Sequence, residues 1–426
     1  MKFKGFIFLQ LVIVFYLNSP AQHLLSGDEF IKPTSYQAYL QLALKNNLLL
    51  MAEKYKVEEA EAAISLARIF PNPEITMGNA SGDITRQNLL QQFYEGITQT
   101  IVRPNKFKQG IKVAKAQYKL QQILFEDYLR LFKLDLTKRY VNALLAKLAY
   151  EKDKKTNELL QGELQKLKID TNESKVELYR IKIETAQTLA QLYQSEEIYK
   201  MAVYDLYLPL SFYHRGTVIG PYGNLHLPLR KFNLDSIVPI ALDNRTDVLI
   251  AKQQKMLTQE HLNLAKTNRR KDFEIQIGNN SYTRATNLIA PTPPYQAITA
   301  LFTFQLPFSN LKKQDLRIAE LDLKRASFEL SQTQTAIQIE IAQSYDRHLT
   351  AEQQLSIYSS GLLEMTDKVF EEELEIYKSG KSNFLDLTES QRKRDEIYHN
   401  YLDALRTYVF SKMELEDDLG IWDIDF

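Results

Sequence analysis

The residue types that most often carry out chemistry are few or unfavourably spaced in this chain. There is no cysteine among its 426 residues, which excludes thiolate nucleophiles, thiolate metal sites and disulfides. No serine stands in a nucleophile elbow, and no glycine-rich loop could hold a phosphate. The sequence therefore predicts no enzyme, cofactor or metal site. No two histidines have metal-ligand spacing, and we interpret all six as surface or packing residues: His23, His214, His226, His261, His348 and His399.

Carboxylates are the remaining candidates for a functional role. Asp386 and Glu389 are three residues apart, which places both on one face of a helix. Taken alone, such a pair is more typical of a solvated helix surface. Whether Asp386 and Glu389 have a functional role depends on the helices and strands that position them.

The charge balance argues against a partner that is a nucleic acid. The chain has 53 basic and 53 acidic side chains and a formal net charge of zero, whereas a nucleic-acid binder needs a basic surface. Hydrophobic residues make up 44% of the chain, enough to fill sizeable cores.

The N-terminus predicts export. Lys2 and Lys4 precede an apolar stretch, and small residues follow up to Ala21. This pattern predicts a signal peptide at residues 1–21, cleaved after Ala21. An uncleaved membrane anchor is the alternative, although the apolar run is shorter than the ~20 residues of a spanning helix.

An internal duplication organises the rest of the chain. Residues 43–47 resemble residues 241–245, and residues 73–79 resemble residues 273–279, about 200 positions later. We therefore predict the same unit twice: short helices, two strands and a long antiparallel helical hairpin. The first repeat is expected at 22–207, with strands in 74–102 and a hairpin at 108–207. A linker at 208–232 crosses the outside of the helices, and the second repeat spans 233–426, with strands in 273–306 and a hairpin at 311–420.

The long hairpins are predicted from windows without proline. Proline is absent from 105–208 and 308–426, and both windows carry apolar residues at alternating spacings of three and four. Turn-forming residues at 170–174 and 379–383 divide each window into two helices. The descending helices, near 108–169 and 311–379, are expected to be uninterrupted and roughly 90–105 Å long. A fibrous or cytosolic coiled coil is the alternative.

The predicted strands have one apolar and one polar face. Phe273, Ile275 and Ile277 alternate with polar residues, a pattern found in membrane β-barrels and equally in soluble sandwiches. Four strands cannot close a barrel, and an open sheet edge cannot face lipid. If the strands lie in a membrane, several chains must pool them, and three copies would give a barrel of twelve.

The order of these elements resembles that of the TolC-type outer-membrane efflux family over essentially the whole mature chain. Residues 377–391, which read Tyr-Lys-Ser-Gly-Lys-Ser-Asn-Phe-Leu-Asp-Leu-Thr-Glu-Ser-Gln, resemble the second hairpin tip of that family. Residues 245–248 and 71–73 carry further short signatures. The resemblance implies a mainly α fold with a small β part. It also implies a homotrimer in which a twelve-stranded β-barrel in outer-membrane lipid continues into a periplasmic α-helical barrel.

The resemblance also assigns roles at the hairpin tips. Asp386 and Glu389 match acidic residues of the periplasmic aperture, Glu177 aligns with Asp386, and Tyr377 matches a tyrosine that holds the tips together, with Glu177 as its expected partner. Two departures from the family pattern are the replacement of the first tip glycine and Ser382 in place of a basic residue. The residues expected to contact an adaptor are Gly380, Lys381, Ser382, Asp170, Thr171 and Asn172.

The function implied is a passive exit duct, docked by a periplasmic adaptor to an inner-membrane pump and exporting small molecules or metal cations. The loops around 85–92 and 285–294 resemble those of the heavy-metal branch of the family. A periplasmic adaptor or scaffold is the alternative, because it would also be exported and carry a helical hairpin. Two hairpins and only 14 glycines favour the duct.

Overall fold

A computed structural model describes residues 30–81, 91–167, 175–211, 217–223, 234–269, 272–284, 293–304 and 311–421. Within them the fold is mainly helical with a small β part, which confirms that level of the prediction. The predicted signal peptide at 1–21 lies outside the described residues. None of the helices in the described ranges has the combined length and apolarity of a membrane span.

Each half of the chain contains a strand pair followed by long helices. The helices are α1 (Tyr36–Asn46), α2 (Leu48–Leu66), α3 (Pro104–Leu167), α4 (Lys175–Asp205), α5 (Leu234–Asn244), α6 (Thr246–Asn268), α7 (Leu311–Ile357), α8 (Leu363–Lys378) and α9 (Phe384–Asp418). The strands are β1 (Phe30–Thr34), β2 (Glu74–Ser81), β3 (Gln91–Ile101), β4 (Thr217–Pro221), β5 (Phe273–Tyr282) and β6 (Tyr295–Phe304).

The first long helix is continuous, and the second is not. Helix α3 has 64 residues, which corresponds to about 95 Å. The descending helix of the second repeat, predicted to be uninterrupted, is broken between α7 and α8 at Ser360 and Gly361. Gly361 has a φ of 110°, which glycine adopts readily and other residues do not. The proline-free window identified the helix but not this glycine break.

The strands of both repeats join in one antiparallel sheet with the order β2-β3-β5-β6. A second, two-stranded parallel sheet, β1-β4, was not predicted. Strand β4 belongs to the predicted linker, so this part of the linker pairs with the N-terminal strand. Tyr140 of α3 lies beneath it, with its hydroxyl 2.8 Å from the carbonyl oxygen of Thr34 and 2.7 Å from that of Tyr222.

Several apolar clusters hold the long helices together. One packs α1 against α3 and α4 around Tyr39 and Tyr140, and another packs α3 against α9 around Leu145 and Val409. A third joins α5, α6, α7 and α9. The fourth, the tip cluster, lies towards the ends of α3 and α8 and the beginnings of α4 and α9. It consists of Leu160, Ile181, Phe370, Phe384 and Leu387.

Candidate functional site

One face of the four-stranded sheet carries an exposed apolar band, beside which the polar side chains of Asn79, Glu95 and Asn279 lie on the same face. Ile75, Ile97 and Ile277 lie opposite one another on three adjacent strands, and their exposed fractions are 70%, 54% and 58%. Because partners in register project to the same side, the register extends this face to further exposed side chains. An apolar band of this kind marks a surface that is covered by lipid or protein. The additional members are Met77, Phe93, Ile298, Phe302 and Phe304.

The opposite face is polar and carries its own hydrogen bonds. Gln276 donates to the hydroxyl of Tyr94 at 2.6 Å, and Asn280 donates to Thr299 at 2.5 Å. The Tyr94 ring lies across Gly96 and Gly278, where a Cβ atom would approach it to 2.6 Å or less. The two glycines therefore leave the space that the tyrosine fills, an arrangement that favours strand pairing.

At the other end of the molecule, a five-residue turn joins α8 to α9. Helix α8 ends in a Schellman motif, in which the Lys381 N–H donates to the Ile376 carbonyl at 3.2 Å. Gly380 supplies the left-handed conformation, with a φ of 73°. Asn383 then caps α9 by accepting from the Asp386 N–H at 3.0 Å. The turn at 379–383 thus forms where turn-forming residues predicted it.

Asp386 and Glu389 are exposed and line the same groove of about 760 Å3 between α8 and α9. Glu373 of α8 lies in this groove as well. The Ser382 hydroxyl is 3.4 Å from the carboxylates of both Glu373 and Asp386. Three carboxylates therefore lie at one hairpin tip, and the cationic side chains of Arg392, Lys393 and Arg394 line the same groove.

Tyr377 is half-buried and packs against the tip cluster. Its ring makes an edge contact with Phe384, with 6.1 Å between ring centres. The tip cluster also includes Leu160 of α3 and Ile181 of α4. Tyr377 therefore contributes to the packing at the point where the two hairpins meet.

The first hairpin tip lies partly outside the described residues. Asp170, Thr171 and Asn172 fall there, so their predicted contacts with an adaptor stay a prediction. Glu177 belongs to α4, but its side chain is outside the described residues, and its pairing with Tyr377 also stays a prediction. Gly380 and Lys381 are exposed, and Ser382 is half-buried.

Charged contacts between the hairpins were not predicted. Arg392 of α9 donates to Glu184 of α4 at 2.8 Å, and His399 of α9 lies 2.9 Å from Asp153 of α3. Lys152 and Asp395 form a third pair at 3.3 Å. We call these six residues the hairpin junction. A sequence signal existed, since Gln391 and Asp395 interrupt the apolar stripe of Phe384, Leu387, Tyr398 and Leu402.

Comparisons with solved structures connect these features to a known architecture. The chain resembles CusC, whose folding and transmembrane channel formation are accompanied by conformational changes, with a TM-score of 0.73 and 16% identity over 95% of this chain and 96% of that chain. It resembles the Campylobacter jejuni CmeC outer membrane channel with a TM-score of 0.70 and 14% identity over 90% and 85%. The open state of the Neisseria gonorrhoeae MtrE outer membrane channel gives a TM-score of 0.68 and 14% identity over 91% and 89%.

At these identities the likeness establishes the fold. No protein-family model and no curated protein matches the sequence. The solved neighbours named above are channels and not enzymes, and they offer no support for the alternative of an adaptor or scaffold.

Proposed function

We propose, from the premise that this chain has the TolC-type outer-membrane channel fold, that it is the outer-membrane exit duct of a tripartite efflux system. The observation that carries the proposal is the joining of an exposed apolar sheet face to long helices, of which α3 is about 95 Å long. The apolar band would lie in outer-membrane lipid, and the helices would extend into the periplasm. The duct is passive and performs no catalysis.

The open sheet supports assembly into a trimer. Strands β2 and β6 form the edges of a four-stranded sheet, and open edges cannot be left in lipid. Three copies supply twelve strands, enough for a barrel with a lumen. In that arrangement the polar face with Tyr94 and Gln276 would face the lumen of the barrel, and the apolar band would face the lipid.

The acidic hairpin tip supports a role as the periplasmic aperture. Three copies of Asp386 and Glu389 would form two acidic rings, with Glu373 beside them, and such rings favour cations over anions. Tyr377 would hold the second tip closed by its packing, with Glu177 as its proposed partner on the first.

The same tips are the proposed docking place for a periplasmic adaptor that links the duct to an inner-membrane pump. Gly380, Lys381 and Ser382 supply the second tip, and residues 170–172 supply the first. The cargo is proposed to be whatever the pump delivers, either small molecules or metal cations.

Conductance in a planar bilayer tests the duct and its aperture together. The purified chain should form ion channels that prefer cations, and the double change Asp386→Ala and Glu389→Ala should bring cation and anion permeability close to equal. Glu58→Ala, which removes an exposed acid on α2, is the matched control and should leave selectivity unchanged. The absence of channels would contradict the duct, whereas channels with unaltered selectivity in the double variant would contradict only the aperture assignment.

A further inference from the structure

The hairpin junction surrounds a partly open cavity of about 450 Å3 between α3, α4 and α9. Asp153 lines it and is only 5% exposed. One of its oxygens pairs with His399, and the other, Oδ2, has no hydrogen-bond partner among the described residues. Burial of a carboxylate with one unpaired oxygen costs free energy. The charge on His399, which pairs with the other oxygen, therefore has a strong effect on the stability of this contact.

The other cations of the junction have carboxylates of their own. Arg392 is held by Glu184, and Lys152 by Asp395. His399 is therefore the group that neutralises Asp153. Among the described residues of this junction, it is the one whose ordinary pKa, about 6.5, lies near neutrality.

The surroundings of His399 favour its charged form. The hydrogen bond to Asp153 raises the pKa of His399, while burial opposes the shift, and the charges of Asp395 and Asp403 raise it further. The charged groups around the junction are Glu151, Lys152 and Asp153 from α3, Glu184 from α4, Asp367 from α8, and Arg392, Arg394, Asp395, Glu396 and Asp403 from α9.

We propose that Asp153 and His399 form a proton-dependent latch between the two helical hairpins. The latch is engaged when His399 is protonated and weakened when it is neutral. Because α9 also carries Asp386, about 20 Å away along the helix, the latch ties the acidic tip of the second hairpin to α3 of the first. Acid would hold the tips together, and mildly alkaline conditions would loosen them.

The direction of the pH effect follows from the raised pKa. A histidine whose pKa is higher in the folded state stabilises fully below its unfolded pKa, about 6.5, and loses that contribution as the pH rises through its folded pKa. His348, buried between α7 and α9, has the opposite tendency because burial lowers its pKa. The pH dependence of global unfolding would combine the opposite contributions of His348 and His399. The latch must therefore be followed by a measurement that reports on its own residues.

Hydrogen exchange of the full-length protein in detergent, read on residues 150–157 and 395–403 between about pH 5.5 and 9, is the local measurement. After correction for intrinsic exchange, protection should fall as the pH rises above about 6.5, on the order of tenfold for each unit by which the pKa is raised. His399→Gln should remove this dependence. His399→Lys keeps a cation at Asp153 and should keep protection high across the range.

His261→Gln, which alters an exposed histidine of α6, is the control and should behave as the parent. A pH dependence that persists in His399→Gln, or is absent from the parent, would overturn the latch. The exchange measurement does not require the chain to conduct ions, so its outcome is independent of the bilayer test. Only the regulatory meaning of the latch, control of the aperture, rests on the proposed function.

Discussion

At the residue scale, the packing of Tyr94 shows how the sheet depends on single side chains. The ring occupies the space above Gly96 and Gly278, and its hydroxyl accepts from Gln276. Any side chain at either glycine would have to displace the ring, and the hydrogen bond would then be lost. The two glycines are therefore required by a neighbour and not by their own backbone angles.

We expect Gly96→Val to destabilise the protein by about 1–3 kcal/mol, the usual cost of overpacking. The measurement is the free energy of unfolding in detergent, followed by circular dichroism. Gly78→Val on β2 is the control because a Cβ there meets no atom within 4 Å. Equal destabilisation by both variants would indicate a general effect of valine on the strands and contradict the role of Tyr94.

At the element scale, buried charge joins helices that are distant in sequence. The Arg245 side chain, just before α6, is 8% exposed and lies 2.7 Å from Glu340 of α7 and 3.5 Å from Asp418 of α9. Asp247 completes the cluster at 2.8 Å. One guanidinium thus fixes the start of α6 against two long helices, and the third apolar cluster packs beside it.

Arg245→Met should destabilise the protein by about 1.5–3 kcal/mol, the usual worth of hydrogen bonds to charged groups, because it removes a buried cation from three partly exposed carboxylates. Arg325→Met, which removes an exposed arginine paired with Asp322 and Glu329 on α7, should cost less than about 1 kcal/mol. Chemical unfolding of both variants under the same conditions gives the comparison. Similar costs would show that the Arg245 cluster contributes no more than a surface ion pair.

At the scale of the whole molecule, a single chain in water would expose both the apolar band and the open edges of the four-stranded sheet. Such exposure is unfavourable for an isolated chain. The polar face of the same sheet, with its internal hydrogen bonds, needs no such cover. The proposed pooling of strands between copies would remove the edges and would leave a continuous apolar band that lipid could cover.

The mass of the detergent-purified protein, measured by light scattering and corrected for bound detergent, should be about three times that of the mature chain. Removal of detergent should cause precipitation, since the apolar band would lose its cover. A monomer that stays soluble without detergent would contradict pooled strands and with them the proposed duct.

The sequence by itself determined the features that depend on local pattern and spacing. Proline-free windows with apolar stripes identified the long helices, alternation identified the four paired strands, and turn-forming residues placed the turn at 379–383. These signals are readable because helix, strand and turn preferences act over a few residues.

The tertiary structure decided what depends on contacts between distant residues. Three features of this kind bring together segments that are far apart in the chain. They are the pairing of β1 with β4, the packing of Tyr94 over two glycines, and the charged pairs of the hairpin junction. The polar residues Gln391 and Asp395 showed that the stripe of α9 was interrupted, but not which partners they meet. The break at Gly361 is a local exception, since one glycine in a helical pattern fits either a straight helix or a bend, and only the packed chain selects between them.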